Sequence, residues 1–140
     1  MAKKILIIED EDILMQMYTE KLEREGFSVV QASSSREGFN VAVKEKPDFI
    51  LLDLLLQDEN GLSFLWKKQD DPIIGKIPVL VFSNYDDPTP KKEALKLGAL
   101  GYLVKTDYTP QQIIDKITSY IETPDNAAKS AKNSGQKPSS

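Results

Sequence analysis

Glu9, Asp10, Glu11 and Asp12 follow the apolar run at residues 5–8 without a break. Carboxylates crowded behind a buried segment repel one another, so folding does not favour them unless a cation offsets the charge. Asp53 closes a second apolar run, DFILLD, and Ser83 and Lys105 follow two more, VLVF and GYLV. Glu9, Asp10 and Asp53 offer only oxygen donors, the set that suits a hard divalent ion, Mg²⁺ before others. Glu11 and Asp12 have a separate use, since acidic residues at a helix start cap it and complement its dipole.

Absent residue types narrow the chemistry further. The 140-residue chain contains neither histidine nor cysteine. A Ser-His-Asp or Cys-His triad, a His-ligated zinc site, a disulfide framework and a phosphohistidine carrier are therefore excluded. The net charge of −4 lacks the basic stripe of a nucleic-acid-binding surface. No apolar stretch reaches the roughly 20 residues of a membrane span, and Met1-Ala2-Lys3-Lys4 runs straight into a strand without a secretory signal. A cytoplasmic protein with no nucleic-acid or membrane partner is expected.

These residues must be positioned by alternating strands and helices. Short apolar runs at 5–8, 27–32, 48–53, 79–82 and 101–104 predict five strands, several buried on both faces. Leu14, Met17, Tyr18 and Leu22 recur at helical spacing over 13–25, which Gly26 ends. Ser34 with Glu37 forms a capping box for a second helix, stopped by Pro47. Turn residues at 57–61 precede a short helix over about 62–69, and 72–78 is a connection. Thr89-Pro90 predicts an N-cap and first helical position, with Gly98 closing that helix. Thr109-Pro110 with Gln112 starts a last helix whose apolar face is Ile113, Ile114, Ile117, Tyr120 and Ile121. From residue 123 the apolar content collapses, and a disordered polar tail over 123–140 is expected beyond a domain over 1–122 with no effector domain after it.

Five strands alternating with five helices imply a doubly wound parallel sheet, an α/β fold. Ligands of such sheets sit beyond the carboxyl ends of the strands, at the point where the winding reverses. Glu9, Asp10, Asp53, Ser83 and Lys105 all fall on that edge. Taken singly each has an ordinary explanation: a solvated acidic loop or helix cap, a turn aspartate, a loop serine, a solvated lysine. Their shared edge is what raises them above it.

The segments KILIIEDED, DFILLDLLLQDENG, VLVFSN and GALGYLVK resemble, in order, the signature segments of response-regulator receiver domains. The resemblance covers about residues 4–122 and implies a flavodoxin-like sheet of strand order 2-1-3-4-5. It implies that Asp53 is the phosphoacceptor, that Glu9 and Asp10 hold Mg²⁺, and that the backbone carbonyl of Leu55 is a further ligand. Ser83 would bond a phosphoryl oxygen, Lys105 would pair with the phosphoryl group, and Tyr102 would be an aromatic switch that turns inward. The implied donor is a histidine kinase or histidine phosphotransfer protein, and a downstream protein target would use the face near Tyr102. A phosphoacceptor of this kind catalyses only its own phosphorylation and dephosphorylation.

Three positions depart from the family pattern. Thr106 stands where the family has Pro, so the loop after Lys105 is held differently or uses a non-proline cis bond. Gln57 also replaces a common Pro, which loosens the loop after Asp53. Asn84 replaces a small residue and either obstructs the phosphoryl pocket or donates to it. By the family geometry the resemblance implies, Leu55 and Tyr85 flank the approach of water to phosphorus. Leu55 has no group to orient a water and Tyr85 is bulky enough to cover the phosphoryl group, so slow dephosphorylation is expected, with the Asn84 amide as an alternative water-holding group. Ser83 and Lys105 are expected on loops, where a poorly paired Lys105 is removable with a slight gain in stability. Competing functions are a receiver-like interaction module that needs no phosphorylation, an aspartyl phosphatase, whose nucleophile follows the first strand instead, and a flavodoxin-like nucleotide binder, disfavoured by the acidic cluster.

Overall fold

The computed structural model describes residues 2–56, 60–84 and 88–122. Gln57, Tyr85 and the tail over 123–140 lie outside the described residues. Five strands, β1 (Lys4–Ile8), β2 (Ser28–Ala32), β3 (Phe49–Asp53), β4 (Val79–Ser83) and β5 (Gly101–Val104), alternate with five helices, α1 (Asp12–Arg24), α2 (Ser35–Glu45), α3 (Gly61–Gln69), α4 (Pro88–Lys96) and α5 (Pro110–Glu122). All neighbouring strands pair in parallel, in the order β2-β1-β3-β4-β5, as expected.

The apolar runs explain the layering. Every residue of β3 and β4 is buried, whereas the edge strand β2 is largely accessible. Alternate residues of each strand face opposite sides of the sheet. Leu6, Ile8, Ile50, Leu52, Val81, Tyr102 and Val104 join one core, shared with Ala42, Phe64 and Ala94 from α2, α3 and α4. Ile5, Ile7, Leu51, Phe82 and Leu103 join the other, closed by Tyr18 and Leu22 of α1 and Ile113, Ile114 and Ile117 of α5.

Helix ends largely follow their signals. Gly26 and Gly98 adopt φ of +96° and +100°, the left-handed conformation that glycine accepts without strain. The Thr109–Gln112 box closes in both directions: Gln112 N–H donates to Thr109 Oγ1 at 3.1 Å and Thr109 N–H to Gln112 Oε1 at 2.8 Å. At α2, Glu37 N–H donates to Ser34 Oγ at 3.0 Å, but the return bond to Glu37 Oε1 comes from Ser33 N–H at 2.7 Å.

Two starts differ from expectation. α4 begins at Pro88, ahead of the Thr89 cap. Pro88 and Pro90 both fall among the first helical positions, whose N–H groups have no intrahelical acceptor, so neither ring disturbs the helix. Glu11 occupies the N-cap of α1, yet its side chain caps nothing. The carboxylate two residues back, Glu9, takes the Glu11 N–H instead, at 2.9 Å.

Candidate functional site

Three strand ends bring three charged side chains of the same sheet face together. Glu9 follows β1, Asp53 ends β3 and Lys105 follows β5, each on the parity that faces α1 and α5. Lys105 Nζ donates to Glu9 Oε1 at 2.8 Å and to Asp53 Oδ2 at 3.0 Å. The second oxygens are also engaged: Glu9 Oε2 by the Glu11 N–H, and Asp53 Oδ1 by the Leu55 N–H at 3.0 Å. Asp10, partly buried, completes the acidic set, with one oxygen each of Glu9, Asp10 and Asp53 lying within 4.8 Å of one another. Those hard oxygen donors fit a divalent cation, and neither nitrogen nor sulfur competes in the set.

Burial decides the electrostatics. Glu9 and Asp53 are 1% and 3% exposed. Removal from water pushes the Glu9 carboxyl up to about 7, against the opposing pull of Lys105 and the Glu11 N–H. Burial alone lowers the Lys105 ammonium, but its bonds to Glu9 and the charges of Asp53 and Glu9 outweigh that and hold it above its usual value. Lys105 is therefore a buried, doubly paired cation, with its side chain 9% exposed, and not the loosely held loop lysine expected. The condition for the expected gain in stability, a poorly paired Lys105, is therefore not met: its removal would leave two buried carboxylates near each other.

Lys105 opens a 3₁₀ turn, Lys105–Asp107, and no peptide bond among the described residues is cis. The missing proline is thus accommodated by a tight turn. Ser83 also differs from expectation. It is the last residue of β4, fully buried, because pairing extends far enough to set Ser83 opposite Val104. Its parity places it on the other sheet face from Asp53, the face of Val81, Tyr102 and α4. Tyr102 already lies inside, 9% exposed, in the cluster that includes Ala94, Ala99 and Val104. Leu55 is 39% exposed and Asn84 is exposed, both adjoining the site in sequence.

Two contributors carry no chemical group and were missed in the sequence. Gly61 donates its N–H to Leu54 O at 2.9 Å. A Cβ on it would lie 2.7 Å from the backbone oxygen of Asp53, so the loop beyond Asp53 can pass only over glycine. Phe82, paired with Asp53 in the sheet register, lies under Lys105, whose Nζ is 4.6 Å from the ring centroid. The glycine after a turn and the aromatic sharing Asp53's parity were the available signals.

Comparison with known proteins agrees with this geometry. The model of the response regulator receiver domain family matches residues 5–118. The chain is 30% identical over 131 residues to the alkaline phosphatase synthesis transcriptional regulatory protein PhoP of Bacillus subtilis, covering 94% of this chain and 53% of that protein. It is 27% identical over 120 residues to the phosphate regulon transcriptional regulatory protein PhoB of Pseudomonas aeruginosa, covering 86% of this chain and 52% of that protein. The chain thus spans about half the length of these curated relatives. Among solved structures, the chemotaxis response regulator CheY4 of Vibrio cholerae superposes with a TM-score of 0.77 at 26% identity, over 84% of this chain and 97% of that one. A response regulator of Burkholderia pseudomallei, solved with a phosphorylated aspartic acid and a calcium ion, superposes at 0.75 with 30% identity, over 91% of this chain and 69% of that one. Five parallel strands in this order, an acidic cluster at their carboxyl ends and a match over most of the chain lead to one conclusion: this protein belongs to the response regulator receiver domain family.

Proposed function

We propose that the protein is a phosphoacceptor of a two-component relay, taking a phosphoryl group onto Asp53 from a histidine kinase or histidine phosphotransfer protein. The observation that carries this is the bridge of Lys105 between Glu9 and Asp53 beside Asp10. A cation is already balanced there against three acidic groups, at the end of a sheet where ligands of such folds sit. Glu9, Asp10, Asp53 and the Leu55 backbone carbonyl would hold Mg²⁺. When bound, the ion supplies positive charge for the phosphoryl oxygens.

The chain's own groups do the rest. The carboxylate of Asp53 attacks phosphorus, an O–P bond forms, and the electron pair of the broken P–N bond leaves on the donor's imidazole nitrogen. Lys105 exchanges its carboxylate partner for a phosphoryl oxygen, which stabilises charge that a weak nucleophile alone would not. The Ser83 hydroxyl, on the opposite sheet face, donates to another phosphoryl oxygen. Ser83 and Tyr102 share that face with α4, so a shift of the hydroxyl repacks the surface beside Tyr102, where a downstream protein target docks. Intact mass after incubation with acetyl phosphate and Mg²⁺ tests the proposal. One added phosphoryl mass is expected, lost on chelation and in Asp53→Asn; an adduct that survives Asp53→Asn sinks it.

A further inference from the structure

Lys105 has a third neighbour besides its two carboxylates. Its ammonium lies 4.6 Å from the centre of the Phe82 ring, within cation–π range. Phe82 is fully buried, and Tyr18 of α1 packs its ring against it edge-on, with centroids 5.2 Å apart and planes at 69°. That geometry is favourable for aromatic pairs and fixes the Phe82 ring between α1 and the sheet. The ring contact differs in kind from the other two. On the proposed function both carboxylates would change their duties when the site is used, Asp53 as the phosphoacceptor and Glu9 as a metal ligand. The ring face does not.

We propose that Phe82 is a positioning residue, whose face holds the Lys105 ammonium at the strand ends while its anionic partners exchange from carboxylate to phosphoryl oxygen. The role rests on the proposed phosphorylation of Asp53. A desolvated ammonium gains most from a ring face, and Lys105, at the end of strand β5, has a long stem whose freedom must be restrained for each turnover. Tyr18 acts through Phe82, as the support that keeps the ring in place.

Two sets of variants separate this role from mere filling of the core. Phenylalanine carrying one, two or three ring fluorines at position 82 keeps the shape while draining negative charge from the ring face; Phe82→Leu removes the ring. The first readout is the NMR order parameter of the Lys105 side chain in the full chain with no donor present. The second is phosphorylation by acetyl phosphate with Mg²⁺, separated into a maximal rate and a half-saturating donor concentration. Stepwise loss of Lys105 order with fluorination is expected. The maximal rate should fall roughly three- to tenfold in the trifluoro and leucine variants, the factor an ordinary cation–π contact corresponds to, with half-saturation unchanged. Lys105 order that ignores fluorination overturns the proposal, as does loss of order with an unchanged rate. An unsubstituted chain that takes no phosphoryl group overturns the phosphoacceptor function instead, and the order parameters still decide whether the ring holds the lysine.

Discussion

Lys105 Nζ and Glu9 Oε1 meet at 2.8 Å across 96 residues of sequence, with both side chains almost fully withdrawn from water. A buried pair of this kind is costly to break from one side, because the remaining partner either holds its charge without compensation or must take up a proton. Lys105→Ala is expected to destabilise the fold by about 3–5 kcal/mol. Denaturant unfolding measures it, and a midpoint equal to that of the parent would show the bridge to be energetically idle.

Divalent metal should reverse part of that loss. A ligand that binds only the folded state stabilises it by mass action, by about 2.7 kcal/mol at a hundredfold excess over its dissociation constant. The melting temperature of Lys105→Ala should therefore rise more with Mg²⁺ than that of the parent, since the ion meets no competing ammonium. Glu9→Gln with Asp10→Asn should abolish the rise in either background. A rise that persists there places the ion elsewhere.

Glu9 sets a pH dependence whose sign follows from its burial. The folded carboxyl titrates near 7 and the unfolded one near the ordinary 4.5. Between those values the folded state holds the additional proton, so stability falls as pH rises from about 4.5 to about 7 and levels off above. The Glu9 contribution to that fall is on the order of 1–3 kcal/mol, and Glu9→Gln should remove it. Melting curves across pH 4.5–8 for both proteins decide it. Parallel profiles would mean that Glu9 titrates alike in both states.

Two glycines offer a matched contrast. On Gly61 a Cβ would meet the backbone of Asp53 and Leu54 at 2.7 and 2.9 Å, whereas on Gly38 it meets the flexible end of Ile8 at 2.5 Å. Gly61→Ala must displace the chain that carries Asp53, and phosphorylation should fall by at least tenfold, as about 1.4 kcal/mol in the barrier suffices for that. Gly38→Ala should cost stability and leave the rate per folded molecule within a factor of two or so. Equal rates in the two variants would show that the Gly61 contact does not shape the site.

Phosphoryl lifetime should be long. The Leu55 backbone N–H donates to Asp53 Oδ1, its side chain offers no group to orient a water, and the family resemblance would set Tyr85, outside the described residues, on the other flank. Decay after donor removal in Leu55→Asn/Tyr85→Glu should be several-fold faster than in the parent. If the two decay alike, these side chains do not set the lifetime.

Strand count, helix count, sheet class and the acidic edge were legible because each rests on a local pattern. Residues 5–8 and 49–52 are apolar without alternation, which only a strand covered on both faces permits. Glu9, Asp10, Asp53, Ser83 and Lys105 could be gathered because topology alone sends all strand ends to one side. Distances and burial could not be read that way. Ser83 follows an apolar run in sequence, yet whether pairing continues through it depends on Val104 across the sheet. Lys105 reads as a surface residue by type, and only the approach of Glu9 and Asp53 from two other strands makes it an interior one. Gly61 and Phe82 escaped because their contributions are a missing side chain and a ring face, neither of which announces chemistry.

The placement of β5 has a kinetic consequence. It is an edge strand, hydrogen-bonded to β4 alone, and Lys105 follows it directly. Among the paired strands it is also the last in chain order, so the segments that carry Glu9 and Asp53 are synthesised before their counter-cation. An edge strand can open without breaking the inner pairs, and opening β5 leaves β1 and β3 paired. Amide exchange at residues 101–104 should accordingly outpace that at 49–53, and a metal at the carboxylates should slow the latter more than the former. The protein's charge balance is thus completed by a strand at the sheet's edge.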